Sequence, residues 1–141
     1  MTDSKDLLLG FDFGLRQIGV AVGEVSLATA RGLCILKAKQ GQPDWQQVEK
    51  LLKEWQPGCV VVGLPLNMDG SESESAVAAR KFAGRLHGRF SVKVELQDER
   101  LSSREARDSV RSLAEQGERR VAHDAVDAEA AAHILQSYLN R

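Results

Sequence analysis

Residues 7–23, LLLGFDFGLRQIGVAVG, carry the pattern that decides the fold. Apolar and β-branched residues fill both flanks of a short turn at 14–17, which predicts two antiparallel strands. Side chains alternate across a strand, so Leu7, Leu9, Phe11 and Phe13 share one face while Leu8, Gly10, Asp12 and Gly14 share the other. Asp12 is therefore a carboxylate inside an apolar run. Leaving an ionised acid unpaired in such a place costs roughly several kcal/mol, so the site must supply a cation, a hydrogen-bond network or a ligand. A plainer role stands beside this one: a strand-end Asp also accepts backbone N–H bonds from its own turn. The second strand collects Gly19, Ala21 and Gly23 on one face and Ile18, Val20 and Val22 on the other. The small face lets something come close to the sheet.

The letters Asp-Phe-Gly at 12–14 do not signal a protein kinase, because no glycine-rich loop or His-Arg-Asp segment accompanies them and 141 residues are too few. At 43% hydrophobic and 28% charged, the chain suits one compact domain over 1–141, long enough to bury a core without disulfide staples. No signal peptide or membrane span is expected, and Cys34 and Cys59, far apart in apolar runs, are expected to be buried thiols; both point to the cytoplasm. A net charge of −1 gives no overall nucleic-acid signature. Its distribution does: residues 80–120 carry 11 Lys/Arg against 7 Asp/Glu, a locally basic segment compatible with phosphate.

Working outward, residues 32–38 (GLCILKA) predict a third strand and hence an antiparallel three-stranded start. Asp44 caps a helix over 45–55, with Val48, Leu51, Leu52 and Trp55 as its core stripe, and Pro57-Gly58 ends it. The unbroken apolar run 59–64 (CVVVGL) has the pattern of a strand buried on both faces. The loop 65–70 (PLNMDG) lies at its carboxyl end, where open α/β sheets place ligands; Asn67 and Asp69 are candidate contacts there, although turn formation ahead of Gly70 explains both. A helix over 73–88 then carries Lys81, Arg85 and, just beyond it, Arg89 at i,i+4 spacing, either a phosphate-facing stripe or a solvated face.

Residues 92–96 (VKVEL) alternate as a half-exposed strand, and a capping box at 102–105 starts a helix to about 116. Glu99 thus falls between a strand end and a helix start, where an acid of the surface, drawn to the helix dipole or to Arg100 or Arg104, is one reading. A polar, basic connection over 117–123 leads to the last helix, 125–139, with Asp124 as N-cap and Asp127 in its first turn. No repeat or linker divides the chain, so Asp12, Glu99 and Asp127 belong to one domain.

This order of elements, with acids on the first strand, after the last strand and at the start of the last helix, resembles the ribonuclease-H-like fold. We expect an α/β domain with a mixed five-stranded sheet and flanking helices. Phe11-Asp12-Phe13-Gly14 with Arg16 and Gly19, then residues 62–70 (VGLPLNMDG), 98–102 (DERLS) and Val126-Asp127-Ala128 before Ala130 resemble the YqgF family over essentially the whole chain. That family is described as Holliday-junction-resolvase-like and as a candidate pre-16S ribosomal RNA processing nuclease.

The resemblance implies that Asp12, Glu99 and Asp127 are catalytic, metal-binding acids. Carboxylates suit Mg²⁺ or Mn²⁺, which activate water and neutralise charge in phosphodiester hydrolysis. It further implies that Arg16 and Arg100 orient a phosphate or pair with the acids, that Asn67 lies on the substrate path, and that the partner is nucleic acid, RNA before DNA, with pre-ribosomal particles as a further expected partner. Where the family pattern leads us to expect basic residues ahead of Asp127, this chain has His123 and Ala125; His123 then becomes a titrating contact or an ordinary loop residue, and Asp124 a fourth acid or a cap. Two other functions stay open: a resolvase of four-way DNA junctions, and a nucleic-acid- or ribosome-binding factor whose acids serve folding alone.

Overall fold

The computed structural model describes residues 6–67, 69–99 and 120–141, with side chains in the last helix from Ala128 onward. The opening run forms β1 (Leu7–Asp12) and β2 (Gln17–Glu24), followed by β3 (Thr29–Lys39) and a two-residue β4 (Gln42–Pro43). Next come α1 (Trp45–Trp55), β5 (Cys59–Leu64), α2 (Glu74–Phe90), β6 (Val94–Asp98) and α3 (Arg120–Leu139). The sheet order is β4-β3-β2-β1-β5-β6. From β1 through β4 the neighbours are antiparallel, whereas β1–β5 and β5–β6 are parallel, so β1 lies where the two kinds of pairing meet.

The sheet therefore has six strands where five were expected. The extra strand is β4, formed because Gln40 (φ 51°) and Gly41 (φ 82°) turn the chain sharply back onto β3. Two residues, one of them a proline that lacks a ladder donor, carry no strand periodicity in sequence. The last helix also differs. It is already running at Arg120, so Asp124 stands inside it and is not its cap, and the expected connection is helical from 120 onward. The helix expected over 102–116 lies outside the described residues.

Strand alternation splits the interior into two layers. Leu9, Phe11, Ile18, Val20, Val22, Val60 and Val62 pack against Val48 and Leu52 of α1 and Ala79, Phe82 and Leu86 of α2. Leu8, Ala21, Cys59 and Val61 face Ala131, Ile134 and Leu135 of α3. Glycines let α3 sit close: a Cβ on Gly10 would stand 2.5 Å from Leu135 Cγ, and one on Gly32 would stand 2.8 Å from Ala128 Cβ. The partner admitted by the small face of β2 is this helix.

Candidate active site

Asp12 is the last residue of β1, and the register pairs it with Gly19 just as Gly10 pairs with Ala21. Since Gly10 and Ala21 face α3, Asp12 belongs to the α3 layer too. Asp98 ends β6 opposite Leu64, and the Glu99 N–H extends that ladder by donating to the Leu64 carbonyl at 3.1 Å. Both acids thus stand at the carboxyl edge of the parallel strands, separated by β5. Gly63 makes room between them: a Cβ there would stand 2.5 Å from Ile134 Cδ1 and 3.3 Å from Glu99 Cγ.

Glu99 is the buried acid of the described core, only 2% exposed, and neither carboxylate oxygen has a hydrogen-bond partner among the described residues. The surface reading of Glu99 is therefore overturned. Burial, first, and then the negative charges of Asp12 and Asp98 push its carboxyl from an ordinary 4.5 up to about 8. A buried carboxyl with orphaned oxygens, facing the negative charge of Asp12, forms an arrangement that a cation would relieve. Carboxylate oxygens are the donors a hard divalent ion takes; among the described residues Asp12 and Glu99 supply two such groups, and no set of three His, Cys, Asp or Glu side chains is gathered closely enough to hold a metal.

The third acid enters through its backbone. Asp127 lies in α3 directly before Ala128, which packs on Gly32. Gly32 pairs with Ala21, and Ala21 with Gly10, one pleat short of the row that ends in Asp12. The side chains of Asp127, Asp124 and His123, and all of Arg100, lie outside the described residues.

Arg16 is exposed in the β1–β2 turn beside Asp12, and its carbonyl accepts from the Ala38 N–H at 2.8 Å. Asn67 sits in the loop at the end of β5, on the same edge as the acids. Its side chain donates to Ser71 Oγ at 3.0 Å, while Asp69 accepts from the Ser71 N–H at 2.9 Å, so both residues do shape the turn. Lys81, Arg85 and Arg89 are exposed on α2, which covers the opposite layer from Asp12 and Glu99. Arg89 lies 4.4 Å from the centre of the Trp45 ring, a cation–π contact. The structure does not gather this stripe around the acids. Gly63 and Asp98 stand in the motifs read from the sequence but were given no part in the site there; an isolated glycine inside a buried strand was the available signal for the first.

The model of the family described as RuvX, Holliday junction resolvase, matches residues 6–141. Proteins of Yersinia pestis (strain Pestoides F) and Yersinia pseudotuberculosis serotype O:1b (strain IP 31758), each named "Putative pre-16S rRNA nuclease", are 56% identical over 133 residues, 94% of either chain. Among solved structures, Thermus thermophilus RuvC in complex with a Holliday junction substrate aligns with TM-score 0.53 and 16% identity, over 94% of this chain and 92% of that one. The fowlpox virus resolvase in complex with Holliday junction DNA aligns with TM-score 0.53 and 15% identity, over 95% and 97%. At those identities the likeness is one of fold, and the fold is the ribonuclease-H-like one that the order of elements predicts. The YqgF resemblance read from four motifs is borne out.

Proposed function

This chain belongs to the RuvX, Holliday junction resolvase, family, and from that premise we propose that it is a metal-dependent endonuclease that trims the 5′ end of precursor 16S ribosomal RNA. Its relatives' names and its family support a hydrolase of phosphodiester bonds in nucleic acid. The observation that carries the chemistry is Glu99: a buried acid with orphaned oxygens, whose ionisation is opposed by its burial and by the charge of Asp12 at the edge of the sheet.

Asp12, Glu99 and Asp127 would hold Mg²⁺ or Mn²⁺, which supplies an activated water and neutralises the charge that develops on the phosphoryl oxygens. The chain's own residues prepare that centre. Without a cation Glu99 keeps its proton at neutral pH, since its carboxyl titrates near 8. Its carboxyl is held away from bulk water, with its Cγ close against Gly63 of β5. Arg16, exposed in the adjoining turn, offers a guanidinium to a phosphate oxygen, and Arg100 follows Glu99 in sequence for the same task. Lys81, Arg85 and Arg89 give a more distant part of the substrate a basic face on the other layer.

RNA is preferred over DNA because relatives spanning nearly the full chain carry the ribosomal RNA name. A second reading, resolution of four-way DNA junctions, is favoured by the family's description and by folds solved with such junctions bound. Labelled precursor 16S RNA and a four-way DNA junction, incubated with Mg²⁺ or Mn²⁺ and either wild type or Asp12→Asn, separate the two. RNA cut by the wild type alone supports the proposal, and cutting of the junction alone installs the second reading. Equal products from wild type and variant would refute the role given to Asp12.

A further inference from the structure

Asp12, Gly19 and Ile35 form a cross-strand row on the α3 face, because Asp12 pairs with Gly19 and Gly19 with Ile35. Two residues farther toward the edge, Lys37 pairs with Gln17 on that same face. Leu36 and Ala38 pack into the opposite layer, so alternation sends Lys37 and Lys39 to the side of the acids. Both lysines are exposed, and neither has an ion-pair partner among the described residues. Asp44, the one acid in the sequence from 38 to 48, is engaged in capping α1 through the Gln46 N–H at 3.0 Å.

With strands about 4.8 Å apart and a rise of about 3.4 Å per residue, the Cα of Lys37 lies about 12 Å from that of Asp12. That is too far for the two side chains to neutralise each other. It is near enough for both to act on one extended polyanion. Gly19 places no side chain between them. The edge is also held rigidly: Ala38 N–H donates to the Arg16 carbonyl at 2.8 Å and Gly41 N–H to the Leu15 carbonyl at 2.9 Å, tying the β3–β4 hairpin to the turn that follows Asp12.

We propose that Lys37 and Lys39 form a phosphate subsite that grips the nucleic-acid backbone beside the phosphodiester held at the acids. The subsite rests on the nuclease reading above. Two exposed ammonium groups on a fixed strand end act as point charges that tolerate varied phosphate geometry, which suits positioning a backbone and not reading its sequence. Arg16 continues the same cationic edge toward Asp12.

The test uses the full-length protein with fluorescently labelled precursor 16S RNA and a labelled four-way DNA junction. Binding is followed by anisotropy across a salt series without divalent metal, and cleavage is followed with Mn²⁺. Lys37→Gln/Lys39→Gln is expected to weaken binding about tenfold at low salt and to flatten the slope of log affinity against log salt by about 1.5. Its KM rises while kcat holds, and Lys37→Arg/Lys39→Arg restores both affinity and slope. Which of the two nucleic acids shows the change identifies the source of the phosphate. Unchanged affinity and slope in the Gln pair, or a fall in kcat at constant KM, overturns the subsite while leaving the nuclease intact. A wild type that neither binds nor cuts either substrate overturns the nuclease reading, and the subsite with it.

Discussion

Glu99 shows most clearly how one residue is set against the stability of the fold. Its carboxyl titrates near 8 in the folded chain and near 4.5 as an ordinary side chain. Between those values the unfolded state gives up a proton that the folded state keeps, so stability falls as pH rises, by up to about 1.4 kcal/mol per pH unit. Below about pH 4.5 the residue costs nothing, and above about 8 the cost is complete. Glu99→Gln is therefore expected to match wild type near pH 4.5 and to exceed it by roughly a few kcal/mol at pH 8.5, in denaturant titrations run with a chelator. Parallel pH profiles for the two proteins would contradict the burial of an unpaired acid. Gly63 answers to the same geometry. Gly63→Ala places a methyl 2.5 Å from Ile134 Cδ1 and should cost about 1–3 kcal/mol by the same measurement. Asp12 was legible in the sequence as an acid misplaced among apolar residues. Glu99 was named only through the family resemblance, and its burial was not legible, because it packs against Gly63 and Leu64 of β5, which are far from it in the chain.

At the scale of elements, legibility followed periodicity. The α1 helix kept its expected bounds, cap and core stripe, since Asp44 accepts from the Gln46 N–H and Val48 and Leu52 are buried. The β5 strand is buried at every residue, as its unbroken apolar run requires. Elements whose limits are set by tertiary partners shifted: β6 runs two residues later than its alternation suggests, and α3 starts five residues earlier. The α2 helix illustrates how an end is fixed locally. Ser73 Oγ accepts from the Ala76 N–H at 3.0 Å and donates to the Pro65 carbonyl at 2.7 Å, joining the helix start to the loop that follows β5. Ser73→Ala is expected to lower stability by about 1 kcal/mol, read as a lower melting temperature. A variant that melts with the wild type would show that the cap contributes nothing.

Across the whole molecule the sheet divides labour between its faces. One layer carries α1, α2 and the aromatic cluster of Phe11, Phe82 and Trp45. The other carries α3, Asp12, Glu99 and the Lys37 edge. Charge counts along the sequence pointed to a basic middle segment but could not show that Lys81, Arg85 and Arg89 lie behind the sheet from Asp12, because sidedness is a property of the assembled layers. Glycine-lined packing of α3 is what brings Asp127 back toward the first strand across more than a hundred residues of chain. We propose that this assembly makes a divalent-cation site from Asp12, Glu99 and Asp127. Calorimetric titration of Mn²⁺ into the wild type, Asp12→Asn and Glu99→Gln is expected to show binding to the wild type that either substitution weakens at least tenfold; equal binding by all three proteins would rule the site out.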